Sequence, residues 1–201
     1  MAEMIDIYTK QGEKIGTISK KEYYSWEGEN LPWIKCATCF VIDENDKKIL
    51  FEKRGKRFLD PGKLDLCSGH IRSGEVPFQG MIRELDEELS IQEEIARNLK
   101  FLGDMKVDYT TLEDETNRKN LKCFVSVYAL KMKDISQIEI DHKEAIQTGW
   151  LNYEDSVGFI KNSMTRMPYE KGLEPQYNQI FEKLNDYMFQ KNKNKDSEII
   201  K

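Results

Sequence analysis

The sequence predicts an α+β or α/β protein with a β-hairpin at its N-terminus and a helix near its C-terminus. Three observations predict it. Apolar, β-branched and aromatic runs recur between polar turns from residue 4 to residue 151. Two stretches, 77–89 and 174–190, carry apolar residues at helical spacing. No internal repeat or low-complexity linker divides the chain. At 201 residues, 39% hydrophobic and 33% charged, it can bury one core without disulfides or a structural metal, and collagen-like, mucin-like and wholly disordered classes are excluded.

Met4–Tyr8 and Ile15–Ile18 flank a polar turn at Gln11–Lys14 and read as a small hairpin, the decoration of an N-terminal extension spanning residues 1–33. Residues 34–43 and Lys48–Arg54 read as two strands joined at Asp43–Asp46, a core hairpin. A loop with Asp60-Pro61-Gly62, a short apolar piece at Leu64–Cys67 and a glycine-bounded segment then lead into a helix from Pro77 to Leu89. Lys100–Thr111 and Leu121–Met132 read as strands bracketing the charged loop Glu113–Asn120. Gln147–Leu151 reads as a short strand and Glu154–Asn162 as a short helix. In the last helix Ile180, Phe181, Leu184, Tyr187 and Met188 form one stripe, which suits capping a sheet or meeting a second copy in a homodimer. The main domain is expected over 34–190, with 191–201 a polar, disordered tail.

Lys and Arg number 31 against 36 Asp and Glu, a formal charge of −5. No global field draws the protein onto duplex nucleic acid or an anionic membrane, so phosphate binding must be local. No run of about 18 apolar residues appears, and the N-terminus carries acids where a secretory signal needs bases and an apolar stretch, so a cytoplasmic location is expected. Of the four cysteines, Cys36 and Cys39 form a CxxC, but on a strand residues three apart face opposite ways. Cys36 and Cys39 are therefore expected as small buried hydrophobes, and the four cysteines, with Cys67 and Cys123, are too few and irregular for a disulfide scaffold.

The chemistry concentrates on the helix from Pro77. Phe78, Met81, Ile82, Leu85 and Leu89 line one side, while Glu84, Glu87 and Glu88 converge within one turn on the other. Three carboxylates so close repel one another, and without enough basic neighbours the arrangement suggests a divalent cation. Oxygen ligands of this kind favour Mg²⁺ or Mn²⁺.

Together with Gly69, Glu75, Arg83, Leu85 and Ile91, these residues resemble the Nudix box, Gly-x5-Glu-x7-Arg-Glu-U-x-Glu-Glu-x-Gly-U with U aliphatic, departing from it only where Ser90 replaces the last glycine. The resemblance implies an α/β/α sandwich with a mixed sheet and a MutT-like hydrolase that uses Mg²⁺, with Mn²⁺ as a substitute, on a small-molecule diphosphate. Carried over by position, Glu84, Glu87, Glu88 and the Gly69 carbonyl would hold the metal, and Glu75 and Arg83 would form a supporting ion pair. Ser90 bears only on the turn after the helix. Gly80, costly inside a helix, is expected to mark close approach to the sheet.

Arg54 or Arg57, in the basic segment before Asp60-Pro61-Gly62, is expected to touch a phosphate, with His70 beside the box glycine as a further contact. Metal-assisted hydrolysis needs a base to accept the proton of water. Glu84 is one candidate and the acids of 139–144 are others, Glu144 foremost. Trp33, Tyr109 and Tyr128 could stack on a base, though strand aromatics are more often core. Substrates implied by the resemblance are nucleoside diphosphate derivatives.

Over residues 4–160 the chain further resembles the branch that includes type I isopentenyl-diphosphate isomerase and its hydrolase-like bacterial relatives. Those isomerases use three histidines and a cysteine directly before the box glycine. Here Glu27 and Ile34 stand at the aligned histidine positions, Ser68 precedes Gly69, and His70 and His142 are the only histidines. Hydrolysis is therefore expected, with an isomerase-like enzyme and a non-catalytic nucleotide-binding module as alternatives.

Overall fold

The computed structural model describes residues 2–26, 30–55, 62–112, 118–141, 145–165, 168–169 and 172–189. The expected tail, 191–201, lies outside them. The N-terminal hairpin is β1 (Met4–Tyr8) with β2 (Lys14–Ser19), antiparallel, followed by a helix the hydrophobic pattern had not disclosed, α1 (Lys20–Tyr24). Its signal was the pair Ser19 and Glu22. The Ser19 hydroxyl accepts from the Glu22 N–H, and the Glu22 carboxylate accepts from the Ser19 N–H at 2.7 Å, so two orphan donors are satisfied reciprocally.

Strands β3 (Ile34–Asp43) and β4 (Lys48–Arg54) fall where expected, but they are not a long hairpin. They pair only at Ile42↔Ile49 and Asp43↔Lys48 and then splay. The short apolar piece and box glycine make two strands, β5 (Leu64–Asp65) and β6 (Cys67–His70), and β6 takes the edge of β3 that β4 gives up, from Cys36↔His70 to Cys39↔Cys67. The other edge of β3 runs parallel to β8 (Arg118–Met132), which pairs antiparallel with β7 (Lys100–Leu112). β4 pairs instead with β9 (Ala145–Asn152), which begins before the expected Gln147, and with β5. The long partners of β3 and β4 are thus different strands, and their separation puts β6 beside a gap in the sheet.

The sheet separates two cores. Along β3, Ile34, Phe40 and Ile42 bury on one face and Ala37, Cys39 and Val41 on the other, the period-2 alternation of a strand covered on both sides. The first core packs against the hairpin, α1, α4 (Tyr153–Lys161) and α5 (Glu174–Phe189), through Ile5, Ile7, Tyr23, Ile160, Tyr177, Ile180 and Leu184. The second lies under α2 (Pro77–Leu89) and α3 (Glu93–Ala96), a short helix that was not expected. This is an α/β/α sandwich around a mixed sheet. Each fully buried Leu, Ile or Phe in it contributes roughly 1.5–3 kcal/mol. The extension supplies core residues to this fold and is no mere decoration. Cys36 and Cys39 do face opposite cores, Cys39, Cys67 and Cys123 are buried while Cys36 is only partly so, and no disulfide joins any two of the four. Among the described residues no helix is long and apolar enough to cross a membrane.

Helix α2 ends at Leu89, and Ser90 sits at φ +53°, ψ +27°, the left-handed conformation that favours glycine. The Ser90 N–H reaches the Asp86 carbonyl at 3.0 Å and the Ile91 N–H reaches that of Leu85 at 3.1 Å, so the turn is kept despite the side chain. Ser90→Gly is expected to stabilise the protein by about 0.5–1 kcal/mol, the relieved strain less glycine's entropy when unfolded. A melting temperature raised by roughly 2–3 °C would show it.

Candidate active site

Three elements build the site: β6 at the gap in the sheet, the loop 71–76, and the flank of α2 that faces them. With α2 turned so that Met81, Leu85 and Leu89 bury in the second core, Gly80, Glu84 and Glu88 at i, i+4 spacing lie against β6 and its loop. The expected split into an apolar side and an acidic side therefore does not divide buried from exposed residues. Glu84 and Glu88 are buried at 8% and 9% exposure, while Glu87 stays open to solvent.

Close approach explains both glycines. A Cβ on Gly69 would overlap the Glu84 carboxyl, so Glu84 can rest on β6 only where there is no side chain. A Cβ on Gly80 would come within 2.5 Å of Ile71 Cδ1 and 3.3 Å of Glu75 Oε2. What Gly80 admits is the loop after β6, not the sheet itself.

Arg83 organises the acids. Its Nε and Nη2 clasp Glu75 at 2.9 and 3.1 Å, and Nη2 also donates to the His70 carbonyl at 2.8 Å. Its Nη1 donates to Glu84 Oε1 at 2.6 Å and to Glu87 Oε2 at 3.0 Å. Arg72, which sequence reasoning overlooked, donates through Nη2 to Glu87 at 3.0 Å, and its N–H donates to Glu75. The expected shortage of basic neighbours is thus corrected: two guanidinium groups already offset these carboxylates. The Ser68 N–H donates to Glu88 Oε2 at 3.2 Å.

Burial pushes the Glu84 carboxyl above the ordinary carboxylate range, against the pull of Arg83. Burial acts the same way on Glu75, but hydrogen bonds from Arg83 and the Arg72 N–H outweigh it and hold that carboxyl low. A group depressed in the folded state stabilises the fold fully above its unfolded pKa of about 4.3 and loses that contribution as pH falls through the folded value. Glu75→Gln is therefore expected to lower the melting temperature at neutral pH, with the difference shrinking below about pH 4. Paired thermal melts across that range check it.

The strand register decides which groups of β6 face the carboxylates. The Ile71 N–H donates to the Lys35 carbonyl, so the residues at 67, 69 and 71 turn their backbone groups to β3, whereas Ser68 and His70 turn theirs to the open edge. The Gly69 carbonyl, expected as a metal ligand, is directed into the ladder opposite Ala37. Toward α2 point the Ser68 backbone, bonded to Glu88, and the His70 carbonyl, bonded to Arg83. His70 shares the side of Cys36, so its ring lies on the face of α1 and not of the box helix, and its Nε2 hydrogen-bonds the Tyr24 hydroxyl at 2.9 Å.

Arg54, at the end of β4, forms an ion pair of 2.6 Å with Asp65, its side chain only 16% exposed. Arg57 and Glu144 lie outside the described residues, as do Glu27 and His142. The stretch leading to Glu144 is nonetheless tied to the box helix: the Glu139 N–H donates to the Leu89 carbonyl and the Asp141 N–H to that of Glu88, at 3.1 and 2.9 Å. Besides Arg72 and Tyr24, sequence reasoning missed Glu52, a buried acid inside the apolar run of β4. Burial, then Glu88 and Glu52, push the Cys67 thiol well up. Among the stacking candidates, Trp33 and Tyr128 are buried, Trp33 against Phe124 and Tyr128 against Phe78 and Phe101. The Tyr109 side chain lies outside what is described.

As placed, no three carboxylate, thiol or imidazole groups among the described residues enclose a metal ion. Yet Glu84 and Glu87 each bring an oxygen within 3.0 Å of one nitrogen, Arg83 Nη1. That nitrogen marks a point where two hard donors already meet a positive charge, and the donor set fits a hard divalent cation.

A glycine strand pinned beneath a helix that bears Arg83-Glu84 and Glu87-Glu88, on the flank of a mixed sandwich, defines the Nudix hydrolase class. The family model described as NUDIX domain matches residues 33–168, more than half of the chain. The chain belongs to the NUDIX domain family. No curated relative matches it in sequence. Among solved structures, it is similar to DR0079 from Deinococcus radiodurans, with 20% identity, 87% of this chain and 96% of that one covered, and a TM-score of 0.61. The dihydroneopterin triphosphate pyrophosphohydrolase of E. coli shows 17% identity, coverage of 76% and 95%, and a TM-score of 0.51. The NUDIX domain of Shewanella oneidensis NrtR, solved with ADP ribose, shows 16%, 83% and 99%, and 0.51. At these identities the likeness is one of fold.

Proposed function

We propose that the chain is a Mg²⁺-dependent hydrolase, with Mn²⁺ as a substitute, that cleaves a diphosphate linkage in a nucleoside diphosphate derivative or similar organic diphosphate. The observation that carries this reading is the meeting of Glu84 and Glu87 on one cationic nitrogen above Gly69, with Glu88 alongside. These three carboxylates would hold the ion. The Ser68 carbonyl, turned to the open edge, suits it better than that of Gly69. Bound there, the ion supplies charge neutralisation of the diphosphate and a lowered pKa for water.

The chain's own residues do the rest. Glu75 and Arg83 hold the carboxylates in register. A carboxyl raised by burial, as at Glu84, is the better proton acceptor near neutral pH, and Glu144, three residues beyond the anchored Asp141, is the second candidate base. Arg54 and Arg57 would meet phosphate oxygens, Arg54 by exchanging Asp65 for the substrate. His70 serves this site through its backbone, since its ring lies on the other face. Two proteins of similar fold, a dihydroneopterin triphosphate pyrophosphohydrolase and a domain solved with ADP ribose, support a substrate of the nucleotide-like diphosphate class.

The N-terminal hairpin supports the branch of hydrolases related to isopentenyl-diphosphate isomerase, but isomerase chemistry is disfavoured. Cys67, the nearest thiol to the box glycine, is buried toward α2 and its pKa is raised, so it is a poor proton carrier.

The test is phosphate release from a panel of nucleotide and isoprenoid diphosphates with Mg²⁺ or Mn²⁺, each product being converted to phosphate by an added phosphatase. Turnover that disappears in chelator and falls about a hundredfold in Glu87→Gln is the expected result. Tight nucleotide binding without cleavage anywhere in the panel would replace the hydrolase with a binding module.

A further inference from the structure

The N-terminal extension does more than fill the first core. β1 lies along the loop that follows β6: Ile5 bridges Arg72, and the Ser73 N–H donates to the Met4 carbonyl at 2.8 Å. The Lys20 N–H closes α1 back onto the Glu3 carbonyl at 2.9 Å. The helix so fixed delivers the Tyr24 hydroxyl to His70 Nε2 at 2.9 Å, with the two rings edge-on at 5.7 Å. His70 is the last residue of β6 and is buried, at 8% exposure. The carbonyl of the same residue accepts from Arg83, whose other nitrogens hold Glu75, Glu84 and Glu87. One residue therefore carries a contact from the extension on its side chain and a contact to the box acids on its backbone.

We propose that Tyr24 is a positioning residue for the box carboxylates: its hydroxyl fixes His70, and the fixed His70 carbonyl holds Arg83 where Glu84 and Glu87 meet. This rests on the proposed metal-binding role of those carboxylates. The physical reason is that β6 is a strand of four residues whose ladder pairing, among the described residues, is with β3 alone. Its other edge has no ladder among them to hold it, and the last residue sets where the loop with Arg72 and Glu75 begins. A hydrogen bond on a buried ring removes the rotation and shift that the ladder leaves open there. The described contacts of Tyr24 are with His70 and Tyr23, so its influence on the box carboxylates runs through His70.

The experiment compares Tyr24→Phe with Tyr23→Phe. Tyr23 is the neighbouring residue of α1, buried at 1% exposure, whose hydroxyl accepts from the Lys122 N–H at 3.1 Å and makes no hydrogen bond to the box. Both variants lose one hydroxyl and keep the ring. Mn²⁺ affinity is measured directly, by the free-ion electron paramagnetic resonance signal, next to melting temperature and turnover. Tyr24→Phe is expected to weaken Mn²⁺ binding about tenfold, the low end for removing a group that orients ligands. Tyr23→Phe is expected to lower the melting temperature with Mn²⁺ affinity unchanged. Equal Mn²⁺ affinity in Tyr24→Phe and the unaltered protein, or equal weakening in both variants, overturns the proposal. Glu87→Gln, measured in parallel, keeps the two readings apart: if it retains full Mn²⁺ affinity, the metal-binding reading of the box fails first.

Discussion

Gly69→Ala is expected to lower diphosphate hydrolysis by about 10²–10³-fold while leaving the fold intact. The methyl group would occupy the space now filled by the Glu84 carboxyl, overlapping its carbon and both oxygens. Glu84 must then move by more than about 1 Å to reach van der Waals distance, and displacement of that size at a reacting centre costs about 10²-fold. The move also takes Glu84 Oε1 from Arg83 Nη1, undoing the point where two carboxylates converge. Gly69 itself is extended backbone on β6, a conformation alanine adopts readily, so the loss is local. Turnover and Mn²⁺ affinity that both survive in a folded Gly69→Ala protein would show that Glu84 need not sit on β6. Circular dichroism would establish the folding.

Arg83→Ala is expected to destabilise the protein by about 3 kcal/mol, the lower end for removing one partner of a buried charge network, because Glu87 is half exposed. It removes the ion-pair partner of Glu75 and Glu84, whose side chains are largely buried, and leaves the His70 carbonyl without its guanidinium. For a chain of this size the melting temperature falls by roughly 6–12 °C. Arg83→Lys recovers only part of this, since one ammonium cannot span the fork of donors that reaches Glu75, His70, Glu84 and Glu87 together. Added Mn²⁺ is expected to stabilise Arg83→Ala less than the unaltered protein, because carboxylates no longer held in register bind the cation more weakly. Denaturant unfolding with and without Mn²⁺ measures both effects.

Much of this was legible in the chain because it is written locally. The α2 boundaries follow from Pro77 at the start, apolar residues at helical spacing and the turn at Ser90. Cys36 and Cys39 facing opposite cores follows from the pleat of a single strand. The pairing of Glu75 with Arg83 came with the box pattern. What was missed depends on partners far away in sequence. β3 and β4 looked like one hairpin since a turn joins them, but a hairpin signal reports the turn and says nothing about how long two strands stay together. α1 escaped the hydrophobic pattern because five residues are too few to show a helical period, although its cap was visible.

By itself the sequence singled out the groups to which we assign the proposed chemistry: three carboxylates on one turn, an arginine beside them, and a glycine fifteen residues before the first. Side-chain type and helical period are local properties, so they need no fold to be read. Only the tertiary structure decided how those groups are presented. The splay of β3 from β4 let β6 take the vacated edge, and the register of β6 sent the Gly69 carbonyl into the ladder and the His70 ring to the extension. It also brought Arg72 onto Glu87 and the 139–141 stretch onto the end of α2. These are choices of pairing between segments distant in sequence, made by burying both faces of one sheet at once, and no window along the chain contains them.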